Sequence, residues 1–278
     1  MARLTVTMID VGWGDCILLE FEKDGQDPRY ALIDCNDRPN QRLALSFVKR
    51  HLQTKQVDWR NRRHFFDFVL LTHGHDDHSR GLKQMMSEFE TKWFWYPKSG
   101  HPGLAGLLRY ANRSAKVDAH QSVDETKLLP DFGDVSMKIL WPPHSPTGPH
   151  DPNDENNNSV VMALTLADVS FVLTGDCKAS NWPSIVSKLP VNLKVIQVPH
   201  HAAKNGMFDS SGGTPWLDAI ASNVEIGMSC HISPHKHPHP DVITELNSQA
   251  RSYFRTDEHY HVSFSTDGAT VKKKWSRV

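Results

Sequence analysis

Phe68-Val-Leu-Leu71 runs straight into Thr72-His-Gly-His-Asp-Asp-His-Ser-Arg-Gly81. The first four residues are a short apolar segment of buried-strand type. The next ten set His73, His75, Asp77 and His78 within six positions. A strand end is a rigid platform, and the loop beyond it can aim several side chains at one point. His73 and His75 stand two apart on an extended segment and so share a side. Asp77 and His78 can serve a neighbouring position. Such a donor set can ligate two divalent cations. Two ions about 3.5–4 Å apart bridge a hydroxide and clamp a phosphoryl or carbonyl oxygen.

Around this loop the chain alternates strand-like and helix-like segments. Leu4, Val6 and Met8 alternate, and Val11-Gly-Trp-Gly-Asp15 turns the chain. Cys16–Leu19 and Tyr30–Asp34 read as strands, and Leu43, Phe47, Val48 and Leu52 sit at helical spacing. Gly81–Phe89 and Asp241–Ala250 are helix-like; Lys92–Tyr96, Ser136–Trp141 and Lys194–Val198 are strand-like. Two hairpins are expected, Val160–Leu166 with Val169–Thr174, and His261–Ser265 with Ala269–Trp275 around Asp267-Gly268. Residues 97–106, 142–158 and 202–215 read as loops. This mixture predicts sheets inside and helices outside.

Composition narrows the function. Of 278 residues, 38% are hydrophobic and 23% charged, and the formal net charge is −1. These values exclude a disordered chain, a coiled coil and a general polyanion-binding field. No apolar run approaches the roughly 20 residues a membrane helix needs. The first residues lack the apolar core of a secretion signal, so a cytoplasmic protein is expected. Cys16, Cys35, Cys177 and Cys230 form no CxxC pair and read as free, partly buried thiols. The unusual entry is histidine, at 17 copies.

The His-x-His-x-Asp-His loop behind an apolar strand resembles the metallo-β-lactamase superfamily of dinuclear hydrolases. Within it, the chain is similar to the hydrolase domain of ComEC-type DNA-uptake proteins and their stand-alone relatives. That resemblance rests on Ile9-Asp-Val-Gly-Trp-Gly-Asp15, Asn157-Asn-Ser-Val-Val161, Thr174-Gly-Asp176, Val198-Pro-His-His201 and His237-Pro-His-Pro240. ComEC-type proteins also carry a membrane channel, which this sequence lacks. The resemblance implies one hydrolase domain over residues 1–278, built as a four-layer αββα sandwich, an α/β (α+β) fold. It implies Asp34 as the residue that orients the metal loop, Asp176 as the bridging carboxylate and His200 as the late ligand. The metal ligands expected are therefore His73, His75, Asp77, His78, Asp176 and His200. His73 and His75 hold one ion; Asp77, His78 and His200 hold the other.

One departure concerns the first ion. Where most members of the superfamily place a histidine, this chain reads Asn153-Asp-Glu-Asn-Asn-Asn-Ser159. Asn157 is the favoured substitute, with Asp154 and His150 as alternatives. Two divalent ions, Zn²⁺ or Mn²⁺, are expected; an amide oxygen is a weaker, harder ligand than imidazole, which makes the first site weaker or shifts its preference from Zn²⁺ towards Mn²⁺.

The function expected is metal-dependent phosphodiester hydrolysis, including nuclease action, by a metal-bridging hydroxide that Asp77 helps to orient. His237 is read as a substrate contact or leaving-group acid, and His201 and His239 as further substrate contacts. Cys177 reads as a structural thiol, and Gly12, Gly14 and Asp15 as a tight turn. Trp93 and Trp95 read as core. The alternatives are hydrolysis of a small nucleotide, phosphoester, thioester or lactam, or a recognition module in a DNA-uptake or anti-phage complex. A nucleic acid or other phosphodiester is the partner expected, with no membrane and a protein partner only in the third case. Residues 38–64 carry eight Lys or Arg and one acid, Asp58. Such a density suits a phosphate backbone, if it borders the site. Lys272, Lys273, Lys274 and Arg277 add a second basic segment, and residues 118–134 an acidic one.

Overall fold

The computed structural model describes residues 1–38 and 40–276; Arg277 lies outside them. The first half begins with β1 (Ala2–Met8), β2 (Ile17–Lys23) and β3 (Arg29–Ile33), which pair antiparallel. Helix α1 (Leu43–Thr54) then leads to β4 (Phe66–Leu70), parallel to β3. Helices α2 (Asp76–Ser79) and α3 (Leu82–Phe89) lead to β5 (Thr91–Tyr96), and α4 (Pro102–Ala111) to β6 (Val117–Ser122), again in parallel.

The second half repeats that plan. The strands β7 (Ser136–Trp141), β8 (Val161–Leu166) and β9 (Val169–Leu173) are antiparallel. After them β10 (Leu193–Gln197), α5 (Lys204–Met207), α6 (Pro215–Asp218), β11 (Glu225–Met228), α7 (Pro240–Ser248) and β12 (Tyr253–Arg255) extend the sheet in parallel. Helix α8 (Thr256–His259) returns the chain to the first sheet, where β13 (His261–Thr266) pairs with β1 and with β14 (Val271–Ser276). The orders are β14-β13-β1-β2-β3-β4-β5-β6 and β12-β11-β10-β9-β8-β7.

Three apolar clusters define the layers. Between the sheets, Phe68 stacks on Trp95 at 4.5 Å, and Phe132 meets Phe68 and Phe21 edge-on. Trp93 packs against the same core, so the alternating tryptophans serve packing. On the outer face of the first sheet, Phe47, Val48 and Leu52 of α1 meet Met85, Met86 and Phe89 of α3. On the outer face of the second, Trp182 and Trp216 pack with Leu246 of α7. Two sheets back to back with helices outside are what the alternating segments predict.

Two of the three expected loops contain α-helix, and the third, residues 142–158, ends in a 3₁₀ turn at Glu155–Asn158. Residues 97–106 include the start of α4: Pro102 opens the helix, His101 Nδ1 accepts from the Gly103 amide, and Leu104, Leu107 and Ala111 turn inward. The short apolar stripe is masked in the sequence by Gly103 and Gly106. Residues 202–215 contain α5, held by its contact with the second sheet's outer core. Among the described residues, no helix is long and apolar enough to cross a membrane. The four cysteines are free and buried, and burial pushes the Cys177 thiol up to about 12.

Candidate metal centre

The site is assembled at the carboxyl ends of parallel strands from both sheets, where loops from several elements converge. β3 is followed by Asp34, whose φ of 55° turns its carboxylate under the loop after β4. There Asp34 Oδ1 accepts from the Thr72 amide at 2.7 Å, and Oδ2 accepts from Thr72 Oγ1 at 2.5 Å. Asp34 Oδ2 also holds His78 Nδ1 at 2.7 Å, which leaves Nε2 of that ring facing the cluster. Across the gap between sheets, the Val160 amide donates to the Thr72 carbonyl at 2.9 Å.

Asp176 stands at the centre. Its amide donates to Ser159 Oγ at 2.8 Å, which aims the carboxylate between two groups of rings. On one side Oδ1 lies 3.2 Å from His78 Nε2 and 3.3 Å from His201 Nε2. Asp77 Oδ2 is 3.3 Å from the same His201 nitrogen. On the other side Oδ2 lies 3.7 Å from His73 Nε2 and 3.4 Å from His200 Nε2. His75 Nδ1 is 3.0 Å from His73 Nε2. Two sets of donor atoms thus share one carboxylate: Asp15, His78, Asp176 and His201, and His73, His75 and Asp176.

The arrangement fits divalent cations better than internal hydrogen bonding. Asp176 Oδ1 is buried and makes no hydrogen bond among the described residues, although two imidazole nitrogens point at it within 3.3 Å. Ring nitrogens and a carboxylate oxygen directed at common points, with their other atoms tied back, are a coordination set. Electrostatics differ between the two sides. Burial alone would lower His78 and His201, yet Asp176 and the other carboxylates overcome it, raising His78 well above its usual value and His201 to about 10. Burial holds His73 well below the usual imidazole value and lowers His200 as well. One side therefore carries an excess of negative charge, and the other offers neutral rings.

The two consecutive histidines divide differently from the expectation. His200 was expected beside Asp77 and His78; the ring there is His201, and His200 faces the His73 side. The reason is backbone. His200, His201 and Ala202 take φ of 53°, 53° and 63°, a left-handed run that sends neighbouring side chains to opposite sides of Asp176. The His200 amide donates to the Gly175 carbonyl at 3.0 Å, and the His239 amide to the Ala202 carbonyl at 2.9 Å, holding the turn in place. His201 Nδ1 is fixed by the Ser229 carbonyl at 2.9 Å.

The Asn-rich loop also differs. Asn157 bonds to Asp151 and Asn181, Asp154 pairs with Lys178, and His150 packs edge-on against Trp141. None of the three lines the cleft. Asn156 does, with its amide 3.4 Å from His200 Nε2.

The cluster opens into a cleft of about 540 Å³ whose walls include Trp13, Asp76, His101, His235 and His237. His237 stands on the cleft wall; burial and then the neighbouring imidazoles press it down to about 4, so its ring is neutral near pH 7. His239 is not on the cleft wall. It caps α7, its Nδ1 accepting from the Asp241 amide, with Pro240 in the first turn. None of the cations of residues 38–64 lines the cleft. Lys49 pairs with Glu88, Lys55 with Glu20 and Glu22, Arg62 donates to the Pro28 carbonyl, and Arg60 lies over Trp59.

Asp15 was read as part of a turn. Gly12 and Gly14 do turn the chain, but Asp15 is buried as a member of the donor set with His78 and His201, with Gln197 Nε2 donating to its Oδ2 at 2.9 Å. Its signal in the sequence is an acid immediately ahead of the buried segment Cys16-Ile-Leu-Leu19. Trp13 and His235, packed at 4.8 Å, had no comparable signal.

Comparison with known proteins agrees with this geometry. Residues 66–177 match the model of the metallo-beta-lactamase superfamily. The chain is 23% identical over 282 aligned residues to ComE operon protein 3 of Bacillus subtilis (strain 168), covering 93% of this chain and 32% of that protein. It thus spans about a third of the length of that relative. Among solved structures, YhfI from Bacillus subtilis, a metallo-beta-lactamase fold protein, aligns with a TM-score of 0.57 and 13% identity over 96% of this chain and all of that one. Zn²⁺-bound PqqB from Methylobacterium extorquens aligns with a TM-score of 0.54 and 12% identity, over 96% of this chain and 100% of that one. Two sheets in this topology and the solved structures that align with them give the chain the metallo-β-lactamase fold, and the match over residues 66–177, which contains the His-x-His-x-Asp-His loop at the end of β4, makes it similar to that superfamily there.

Proposed function

We propose that this protein is a dinuclear metal-dependent phosphodiesterase acting on nucleic acid. The observation that carries the reading is Asp176, one carboxylate placed between two sets of imidazoles at the base of an open cleft. His73, His75 and His200 would hold one divalent ion, Asp77, His78 and His201 the other, and Asp176 would touch both. Bound there, such ions supply Lewis acidity and an activated water.

The chain's own groups do the rest. Asp34 fixes the tautomer of His78, and the Ser229 carbonyl fixes that of His201. Asp77, held below the usual carboxylate range, accepts hydrogen bonds at the floor of the cleft. There burial opposes the ionised form, and His78 and His201 outweigh it. His237 and His101 stand on the wall, where an imidazole N–H can donate a hydrogen bond to a phosphoryl oxygen. The resemblance of the sequence motifs to ComEC-type DNA-uptake proteins supports a nucleic acid as the substrate class, and the like fold of Zn²⁺-bound PqqB supports zinc as one resident ion.

The test is cleavage of end-labelled single-stranded DNA by metal-stripped protein, with Mn²⁺ or Zn²⁺ restored and Asp77→Ala in parallel. Cleavage that needs the metal and disappears in the variant is expected. Absence of cleavage with both metals, on DNA and RNA alike, removes the proposal.

A further inference from the structure

A second groove, of about 580 Å³, runs away from the cleft between α3 and α4. The two meet at Asp76, which lines both. Arg80, Lys83, Arg109 and Arg113 line this groove. The acid there is Asp76, already paired with Arg80 at 2.8 Å. Lys83 lies over the Tyr110 ring, and the guanidinium groups of Arg109 and Arg113 make no ion pair or hydrogen bond among the described residues. Helix α4 carries no acidic residue. Gly106 forms part of the wall, and a Cβ there would meet nothing closer than Arg109 Nη2 at 3.9 Å, so the helix surface is open to close approach.

We propose that this groove holds the phosphate backbone of a single-stranded nucleic acid on its way to the cleft. The inference rests on the phosphodiesterase reading and adds the surface that tracks the polymer beyond the bond being cut. Three cations without carboxylate partners, in a furrow that shares Asp76 with the cleft, match a line of phosphates. An aromatic platform completes a single-strand site, and Trp13 stands on the cleft wall where an unstacked base can lie against it. The denser basic stretch of residues 38–64 does not compete for this role, because it does not border the cleft.

The experiment is fluorescence anisotropy with a labelled 20-nucleotide oligo-dT bearing non-hydrolysable linkages, titrated with metal-loaded protein across a salt series. Lys83→Ala/Arg109→Ala/Arg113→Ala is expected to bind about 100-fold more weakly at 0.1 M salt. The slope of log K against log salt should become shallower by about 2, at roughly 0.7 per lost phosphate contact. Arg109→Lys/Arg113→Lys, which keeps the charge, should keep the slope. Lys272→Ala/Lys274→Ala, on the exposed strand β14, should bind as wild type. Unchanged affinity in the triple variant, or an equal loss in the β14 variant, overturns the groove. Equal binding of a duplex of the same length overturns the single-strand assignment. A wild-type protein that cuts DNA while the triple variant binds normally leaves the enzyme reading standing and the groove refuted. A protein that binds through the groove and cuts nothing does the reverse.

Discussion

Asp34 Oδ2 sits 2.7 Å from His78 Nδ1, on the side of the ring opposite Asp176. A carboxylate so placed keeps the proton on Nδ1 and presents Nε2 as a lone pair. It also binds the loop after β4 through both its oxygens, so one side chain sets tautomer and loop position together. Asp34→Asn preserves shape and removes the charge. Affinity for the ion on the His78 side is expected to fall about 10- to 100-fold, read by competition with a chromogenic chelator. Unchanged affinity would remove Asp34 from this role.

The left-handed turn at His200 and His201 predicts different losses from adjacent substitutions. His201→Ala should lose the ion held with Asp77 and His78, and His200→Ala the ion held with His73 and His75. Mass-spectrometric metal content, together with the ligand-field spectrum of Co²⁺-substituted protein, separates the two. Identical spectra for the two variants would contradict the division.

Gly14 and Gly12 share a turn but not a neighbourhood. At Gly14 (φ +107°) a Cβ would lie 2.4 Å from the Asp77 carbonyl oxygen, whereas at Gly12 (φ +74°) nothing lies within 4 Å. Gly12→Ala should cost only the strain of its φ, about 1 kcal/mol. Gly14→Ala should cost about 3 kcal/mol and lower metal content as well, because the backbone at Asp77 must move. Thermal melting with parallel metal analysis checks both.

Glu20 ties β2 to α1 through His51 at 2.8 Å and Lys55 at 2.8 Å, with its side chain 2% exposed. Burial raises its pKa, but His51 and then Lys55 outweigh burial and leave it below the usual carboxylate value. A depressed carboxyl contributes stability that is present above the unfolded-state pKa, about 4.3, and is lost as pH falls through the folded value. Glu20→Gln should therefore lower Tm at pH 7 by a few degrees, for a loss of about 1–2 kcal/mol. The gap should close below about pH 4. A gap independent of pH would assign the effect to packing.

Much of this was legible before the structure. The apolar run Phe68–Leu71 and the histidines behind it announce a strand-end metal loop, because period and residue type agree over so short a span. Asp34 and Asp176 followed from the family resemblance. The assignment of His200 against His201 was not legible: two identical residues in succession are separated here by backbone φ alone, and nothing in their side chains encodes it. The Asn-rich loop failed for a related reason. Among several amides in succession, a single 3₁₀ turn at Glu155–Asn158 selects Asn156 for the cleft. The groove on α4 was hidden because Gly103 and Gly106 disguise a helix as a loop, and its cations come from segments far apart in sequence.

The placement of β13 beside β1 has a consequence for how the chain is made. Leu4 pairs across to Thr266, and β1 has β2 as its other neighbour. At ordinary rates of synthesis the ribosome needs tens of seconds to travel from one partner to the other. For that interval β1 keeps one edge unpaired, in the middle of what becomes an eight-stranded sheet. So distant a pairing gives a high contact order and slow closure. The nascent chain is then most exposed to strand-mediated aggregation after its metal-binding loop has been made and before its first sheet can be completed.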